Sequence, residues 1–218
     1  MKTIKIAHLY YDLMNLYGEQ GNILALTTAL KRQGVKANVD LLTKDDEMEL
    51  SKYDIIYIGC GNENALEIVR KDILKHKKAL EKAIKNTTII ATGNAWELFG
   101  KNIDDNEALG IFDYYSTSVS SRIINEQINK VDFLEMPIVG FQNRGSKCSN
   151  TGSDLFEVIR GCGNTENMTV EGIKVNNFYG TYTIGPLLIR NPHLTDYIVK
   201  DILDSKNVPY KEILDTPD

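Results

Sequence analysis

Four short segments of this chain carry residues that could do chemistry: His8–Tyr17, Gly59–Asn64, Thr92–Trp96 and Gly180–Pro186. The first three follow runs of residues typical of β-strands, and the fourth is dense in glycine, threonine and tyrosine. In a doubly wound sheet, ligands bind outside the carboxyl ends of the strands. We therefore expect the four segments to converge on one cleft.

The segment around Gly93 has the layout of a nucleophile elbow, in which a strand, a turn of small residues and a helix follow one another. The central residue of an elbow sits on a strained turn, so its flanking residues must be small. Ala91 and Ala95 flank the centre at two residues on each side. The centre itself is Gly93, which tolerates a positive φ but offers no nucleophile.

The second segment, Gly59-Cys60-Gly61-Asn62, begins like a dinucleotide fingerprint. However, the third glycine position is Asn64, and no acidic residue follows where ribose recognition needs one. The nucleotide interpretation is therefore weak. The alternative is a tight strand-to-helix turn whose glycines let backbone N–H groups face a ligand or water.

Strand and helix patterns alternate in the first half of the chain, which predicts a parallel sheet covered on both faces. In the second half, strand patterns follow one another with little helix before a final helix. No linker separates the halves, so we expect a single domain over residues 1–218. The predicted strands are Thr3–Leu9, Val35–Leu42, Asp54–Ile58, Thr87–Ala91, Pro137–Gln142, Leu155–Ile159 and Val175–Tyr182, and the predicted helices are Asn22–Gln33, one capped by Asn62, Ala95–Phe99 and about 192–206.

The composition is that of a globular protein, with 42% hydrophobic and 25% charged residues. A net charge of −5 argues against nucleic-acid binding. The three cysteines form no metal-ligand cluster and suit a reducing compartment. No signal peptide and no apolar run of about 18 residues is evident. We expect a cytoplasmic protein with neither metal nor cofactor.

Four longer segments carry a resemblance to known proteins: Leu9–Gly18 with Gly21–Ile23, Ala91–Gly100, Gly140–Asn143 and Gly180–Leu188. They resemble one family, the class I (triad-type) glutamine amidotransferases. Within it, the resemblance is strongest to the glutaminase subunit (GatD) of lipid II isoglutaminyl synthase, which is related to the cobyric acid synthase amidotransferases. The resemblance implies a three-layer αβα sandwich with a mostly parallel sheet and flavodoxin-like topology.

The resemblance fails at the catalytic positions. Family members place a cysteine at the position of Gly93, where its thiolate attacks the glutamine amide, and a histidine at the position of Ile184. Loss of both residues predicts a catalytically degenerate homologue.

The surrounding binding positions are mixed. The resemblance implies that Arg122 contacts substrate, with a surface arginine as the alternative. It also implies that Gly59 and Gly61 belong to an oxyanion loop that continues to Asn62, in which Cys60 replaces a glycine.

Three functional hypotheses follow. The first is a non-catalytic subunit of a peptidoglycan-precursor amidating complex, whose partner is a Mur-ligase-like (MurT) subunit and whose ligand resembles glutamine. The second is an active amidotransferase with a relocated nucleophile, Cys60, paired with His8. The third is a stand-alone small-molecule binding protein.

Overall fold

The computed structural model describes residues 2–149 and 151–212. In chain order the strands are β1 (Thr3–Leu9), β2 (Lys36–Leu42), β3 (Ile55–Ile58), β4 (Thr88–Thr92), β5 (Asn102–Ile103), β6 (Asn106–Glu107), β7 (Tyr115–Lys130), β8 (Ile138–Cys148), β9 (Phe156–Arg160), β10 (Val170–Glu171), β11 (Ile173–Val175) and β12 (Phe178–Thr181). The α-helices are α1 (Gln20–Arg32), α2 (Glu63–Ile73), α3 (Lys77–Ala83), α4 (Leu187–Arg190) and α5 (Pro192–Ser205). Short 3₁₀ helices span Leu16–Gly18, Leu50–Lys52, Leu74–His76 and Gly93–Phe99.

The first sheet has six strands in the order β11-β12-β4-β3-β1-β2. Every neighbouring pair is parallel except β11 with β12. The order of the parallel strands, β2-β1-β3-β4-β12, is the flavodoxin-like order. The predicted α/β fold class is therefore confirmed.

Helices cover both faces of this sheet, as burial of its strands requires. All residues of β3 and β4 are buried, which is typical of strands covered on both sides. One apolar cluster packs α2 and α3 against the sheet through Val69, Ile73 and Leu80. A second cluster packs α1 and α5 against the opposite face, through residues such as Leu30 and Val199.

A second sheet, formed mostly by the middle of the chain, has the order β10-β9-β7-β5-β6, and β8 pairs with β7. The strand patterns predict only part of it, because they do not indicate β7 and end β8 at Gln142. The reason is that β7 alternates between buried and exposed residues without a regular apolar pattern, and its register shifts between Ser118 and Ile123. The predicted strand Val175–Tyr182 is also divided, because Asn176 makes a turn with φ +51° between β11 and β12.

The two sheets meet beside the carboxyl ends of β4 and β12. Arg144 of β8 is 3% exposed, and its guanidinium lies 4.0 Å from the ring centroid of Tyr182, just after β12. Phe141 and Ile184 exchange backbone hydrogen bonds of 3.1 and 2.9 Å, forming an isolated bridge between the two parts. This junction places the carboxyl ends of the first sheet against side chains of the second.

Candidate functional site

The turn at Gly93 has the backbone geometry expected of an elbow. Strand β4 ends at Thr92, and a 3₁₀ helix begins at Gly93. Gly93 has φ +61°, in the left-handed region that side chains rarely adopt. The chain therefore turns sharply between strand and helix at the residue that lacks a side chain.

The space beside Gly93 is filled by Cys60 of the neighbouring strand end. A Cβ atom built on Gly93 would lie 2.5 Å from the Cys60 Cβ and 2.6 Å from its Sγ. Contacts under 3.0 Å are essentially never seen for real Cβ atoms, so a side chain at position 93 would collide with Cys60 and force one of the two to shift. Cys60 is itself only 4% exposed.

The thiol of Cys60 is held in its neutral form. Burial, with a smaller contribution from the nearby carboxyl of Glu19, raises its pKa to about 12. Its Sγ lies 3.7 Å from the carbonyl oxygen of Gly61. A thiol of this kind is a packing group at neutral pH.

Two backbone N–H groups of the Gly59–Asn62 loop already have acceptors inside the protein. The Cys60 N–H donates to Glu19 Oε2 over 3.2 Å, and the Gly61 N–H donates to Asn94 Oδ1 over 3.0 Å. Asn94 Nδ2 returns a hydrogen bond of 2.9 Å to the Gly61 carbonyl. These donors would have to leave their partners in order to stabilise an oxyanion.

The remaining two members of the loop have structural roles. Asn62 Oδ1 accepts a hydrogen bond of 2.8 Å from the Ala65 N–H and caps α2, as its position in the sequence predicts. A Cβ on Gly59 would lie 2.6 Å from the carbonyl oxygen of Met14, so this position requires glycine.

Below the elbow, the carboxyl of Glu19 joins several strand ends in one buried network. Glu19 Oε2 accepts from Tyr57 Oη over 2.7 Å and from the hydroxyl of Thr92. Asn22 Nδ2 donates to Tyr57 Oη over 2.7 Å. Glu19 is fully buried, and this burial raises its pKa. The sequence patterns did not single out Glu19, because the contacts that define it come from residues distant in the chain.

The segment that carries Ile184 is also locked in place. Ile184 is 1% exposed, and it is held by the backbone bridge to Phe141. The residues just before Ile184 are held by Glu171, whose carboxyl accepts 2.6 Å hydrogen bonds from the Thr181 hydroxyl and the Tyr182 N–H. Burial raises the pKa of Glu171 to about 7. Ile184 offers no group that could carry a proton.

A cavity of about 260 Å³ lies between the two sheets. Of the predicted site residues, Gly61 and Arg122 line it, whereas Gly59, Cys60, Asn62 and Gly93 do not. The segment Gly180–Pro186, predicted to converge on the same cleft, is likewise absent from its lining. The cavity therefore begins beside the elbow and extends toward the second sheet.

Three further side chains line the cavity, and no individual role was predicted for them from the sequence. Glu97, in the apolar turn after Gly93, is 1% exposed; its Oε1 accepts from the Ser146 hydroxyl, and the Ser116 and Tyr182 hydroxyls also hydrogen-bond to its carboxyl. Tyr17 ends the predicted segment His8–Tyr17 and lies at the cavity with φ +57°, a conformation rare for an aromatic residue. Asn143 ends the matching segment Gly140–Asn143 and lines the second-sheet side. The available signal for Glu97 was a charged residue between the apolar residues Trp96 and Leu98.

Arg122 reaches from β7 toward the first sheet. Its Nε donates to Asn143 Oδ1 over 2.8 Å, and one terminal nitrogen donates to the Asn143 carbonyl over 3.2 Å. The other terminal nitrogen donates to Glu63 Oε1 over 2.5 Å. Arg122 is thus an organised part of the cavity.

His8 lies in the core of the first sheet. Its ring packs 5.3 Å from the ring of Tyr57, and burial lowers its pKa to about 4. Its Nε2 has no hydrogen-bond partner among the described residues, and the hydrogen bonds that Cys60 donates go to Glu19 and Gly61.

The described part of the chain holds neither a metal-binding cluster nor a membrane-crossing helix. Within residues 2–149 and 151–212, no group of three or more His, Cys, Asp or Glu side chains could hold a metal ion. Over the same residues, no helix has the length and apolar character needed to cross a membrane.

Comparison with known proteins agrees with this geometry. Residues 5–192 match the model of the CobB/CobQ-like glutamine amidotransferase domain. The chain is 30% identical to the lipid II isoglutaminyl synthase (glutamine-hydrolyzing) subunit GatD of Staphylococcus aureus, over 97% of this chain and 89% of that protein. It is 31% identical to the GatD subunit of Streptococcus pneumoniae, over 93% of this chain and 82% of that protein.

The fold is also shared with a solved structure. A crystal structure of a glutamine amidotransferase superposes with a TM-score of 0.58 at 15% identity, covering 93% of this chain and 99% of that one. Taken with the match over residues 5–192, the chain belongs to the family of CobB/CobQ-like glutamine amidotransferase domains.

Proposed function

We propose that this chain is a non-catalytic, glutamine-amidotransferase-like subunit of a GatD-type amidating complex. Two relatives at 30% and 31% identity are named as glutamine-hydrolysing subunits of lipid II isoglutaminyl synthase. By that similarity, the partner is a Mur-ligase-like (MurT) subunit, and the pathway is peptidoglycan-precursor amidation. The retained cavity with Arg122 suits a glutamine-like ligand that is bound without being hydrolysed.

The observation that carries the proposal is the packing of Cys60 against Gly93. The family mechanism needs a thiolate at position 93, and here the place of that side chain is occupied to within 2.5 Å. The histidine position is Ile184, which is buried and cannot exchange protons. The place of the catalytic thiol is therefore filled by the Cys60 side chain, and the place of the histidine by the apolar side chain of Ile184.

The relocated-nucleophile hypothesis has less support. With a pKa of about 12, only about one Cys60 thiol in 10⁵ is ionised at pH 7. A nucleophile of this type needs a base within hydrogen-bond reach, whereas the hydrogen bonds that Cys60 donates go to Glu19 and Gly61. The buried Glu19 carboxyl beside Cys60 further disfavours its thiolate.

The direct test is a glutaminase assay of the chain purified together with its Mur-ligase-like partner. We expect no ammonia release above a buffer control. A different result would identify an enzyme with a relocated nucleophile: the parent chain releases ammonia, Cys60→Ser does not, and the matched variant Cys148→Ser still does. Cys148 suits this control because it is also fully buried.

A second measurement separates the subunit from a stand-alone binding protein. The chain and a Mur-ligase-like protein of the same organism should co-elute on size-exclusion chromatography. Elution of the chain alone, at concentrations where the partner is folded, would favour the stand-alone alternative.

A further inference from the structure

The three arginines that line the cavity differ in how firmly they are held. Arg144 is 3% exposed and donates to several groups, including the Gly163 carbonyl at 2.7 Å. Arg70 is 8% exposed and forms a two-bond pair with Glu67 at 2.7 and 2.9 Å. The Arg122 side chain, by contrast, is 45% exposed. Arg122 is therefore the cavity arginine that a ligand can reach.

The partners of Arg122 divide its guanidinium into a fixed part and an exchangeable part. Asn143 binds two of its nitrogens, at 2.8 and 3.2 Å, from the same sheet. The third nitrogen binds Glu63, the first residue of α2, whose side chain is 62% exposed. An ion pair between groups this exposed is weakened by solvent and is readily exchanged.

We infer that Glu63 is an internal competitor for Arg122, which a small carboxylate ligand must displace in order to occupy the cavity. This inference rests on the proposed function, in which the site keeps a ligand without turnover. A ligand carboxylate and the Glu63 carboxylate offer the guanidinium the same pair of acceptor oxygens. Asn143 keeps the guanidinium oriented while one carboxylate replaces the other.

The buried acidic group that lines the cavity is already engaged inside the protein. Glu97 is 1% exposed, and burial raises its pKa. The hydroxyls of Ser146, Ser116 and Tyr182 hydrogen-bond to its carboxyl. The positive φ of Tyr17, also at the cavity, is a strained conformation of the kind concentrated at ligand sites. The ligand class that Arg122 selects is a small carboxylate.

The test is calorimetric binding of L-glutamine to the full chain. Glu63→Gln should bind it about two- to fivefold more tightly, since an exposed ion pair of this kind opposes exchange only modestly. Arg122→Gln should lose binding. The matched control is Asp204→Asn, which removes one carboxylate from a similarly exposed ion pair with Lys200 on α5, outside the cavity, and it should leave the affinity unchanged. The probe 4-aminobutanamide, which lacks the α-carboxylate, should not respond to Glu63→Gln.

Unchanged or weaker binding of L-glutamine to Glu63→Gln would overturn the inference. So would an equal gain for 4-aminobutanamide, because the gain would then not depend on the carboxylate. Failure of both the parent chain and Glu63→Gln to bind L-glutamine at millimolar concentration also overturns it, and leaves the proposed loss of catalysis untouched. If the calorimetry sample also releases ammonia, while Glu63→Gln binds L-glutamine more tightly than the parent chain, the proposed function is overturned and the role of Glu63 is supported.

Discussion

Positions 60 and 93 should be energetically coupled, because one side chain occupies the space of the other. The perturbation is Gly93→Ala, which adds a single methyl group. That methyl carbon would lie 2.5 Å from the Cys60 Cβ. Overpacking of this kind costs about 1–3 kcal/mol, and a left-handed φ costs a further 1–2 kcal/mol or so. We expect Gly93→Ala to lower the free energy of unfolding by about 2–5 kcal/mol.

The assay is urea denaturation of the parent chain, both single variants and the double variant with Cys60→Gly. Removing the Cys60 side chain removes the colliding atoms, so only the backbone contribution of Gly93→Ala should remain. The double variant should therefore be about 1–3 kcal/mol more stable than the sum of the two single effects predicts. Gly34→Ala is the matched control, since Gly34 has φ +72° and a Cβ at that position would have nothing within 4 Å. Its effect should add to that of Cys60→Gly.

Two results would refute this reasoning. Additive effects of Gly93→Ala and Cys60→Gly, within about 0.5 kcal/mol, would mean that the two positions do not share a space. A Gly93→Ala variant as stable as Gly34→Ala would mean that the collision is relieved without energetic consequence.

Three more outcomes are expected. In native protein at pH 8, iodoacetamide should label half-buried Cys162 and leave Cys60 unlabelled, as judged by mass spectrometry, because burial raises the Cys60 pKa to about 12. The triple variant Gly93→Cys, Cys60→Gly, Ile184→His should be labelled at position 93 by a glutamine-mimicking electrophile; the variant that keeps Cys60 should not, since the new thiol has no room. The pKa of Glu171 is raised from 4.5 to about 7, so between these values the folded chain keeps a proton that the unfolded chain has lost, and stability falls as pH rises. As pH rises from 4.5 to 8, the free energy of unfolding of Glu171→Gln, measured by urea denaturation, should therefore rise by up to about 3 kcal/mol relative to that of the parent. A difference between the two that does not change with pH would contradict the raised pKa of Glu171.

Sequence patterns predicted most of the first sheet because its strands have regular patterns: β3 and β4 are buried throughout, and β2 largely alternates between exposed and half-buried residues. The predicted bounds of Thr3–Leu9 are those of β1, and the predicted final helix differs from α5 by one residue at its end. They failed for β7, where the bulge after Ser118 interrupts the alternation and much of the strand faces solvent. A strand without a regular apolar side gives no signal to a pattern of hydrophobicity.

The same distinction holds for the site. The small residues around Gly93 predicted the turn, because local backbone strain restricts which residues fit there. The approach of Cys60 to Gly93 follows from the adjacent ends of β3 and β4, whereas the pairing of Glu63 with Arg122 could not be predicted, since it joins elements that are distant in sequence. Spacing along the chain carries no information about which side chains meet across two sheets.

The packing of Cys60 also bears on how easily a thiol could be restored to the turn at position 93. The family resemblance implies a cysteine at the position of Gly93 and a glycine at the position of Cys60. A side chain at position 93 would place its Cβ 2.5 Å from the Cys60 Cβ, so one of the two would have to shift. A Gly93→Cys change alone would therefore meet an overpacking cost of about 1–3 kcal/mol. The residue at position 60 thus makes the recovery of a nucleophile on this turn a matter of two coordinated changes.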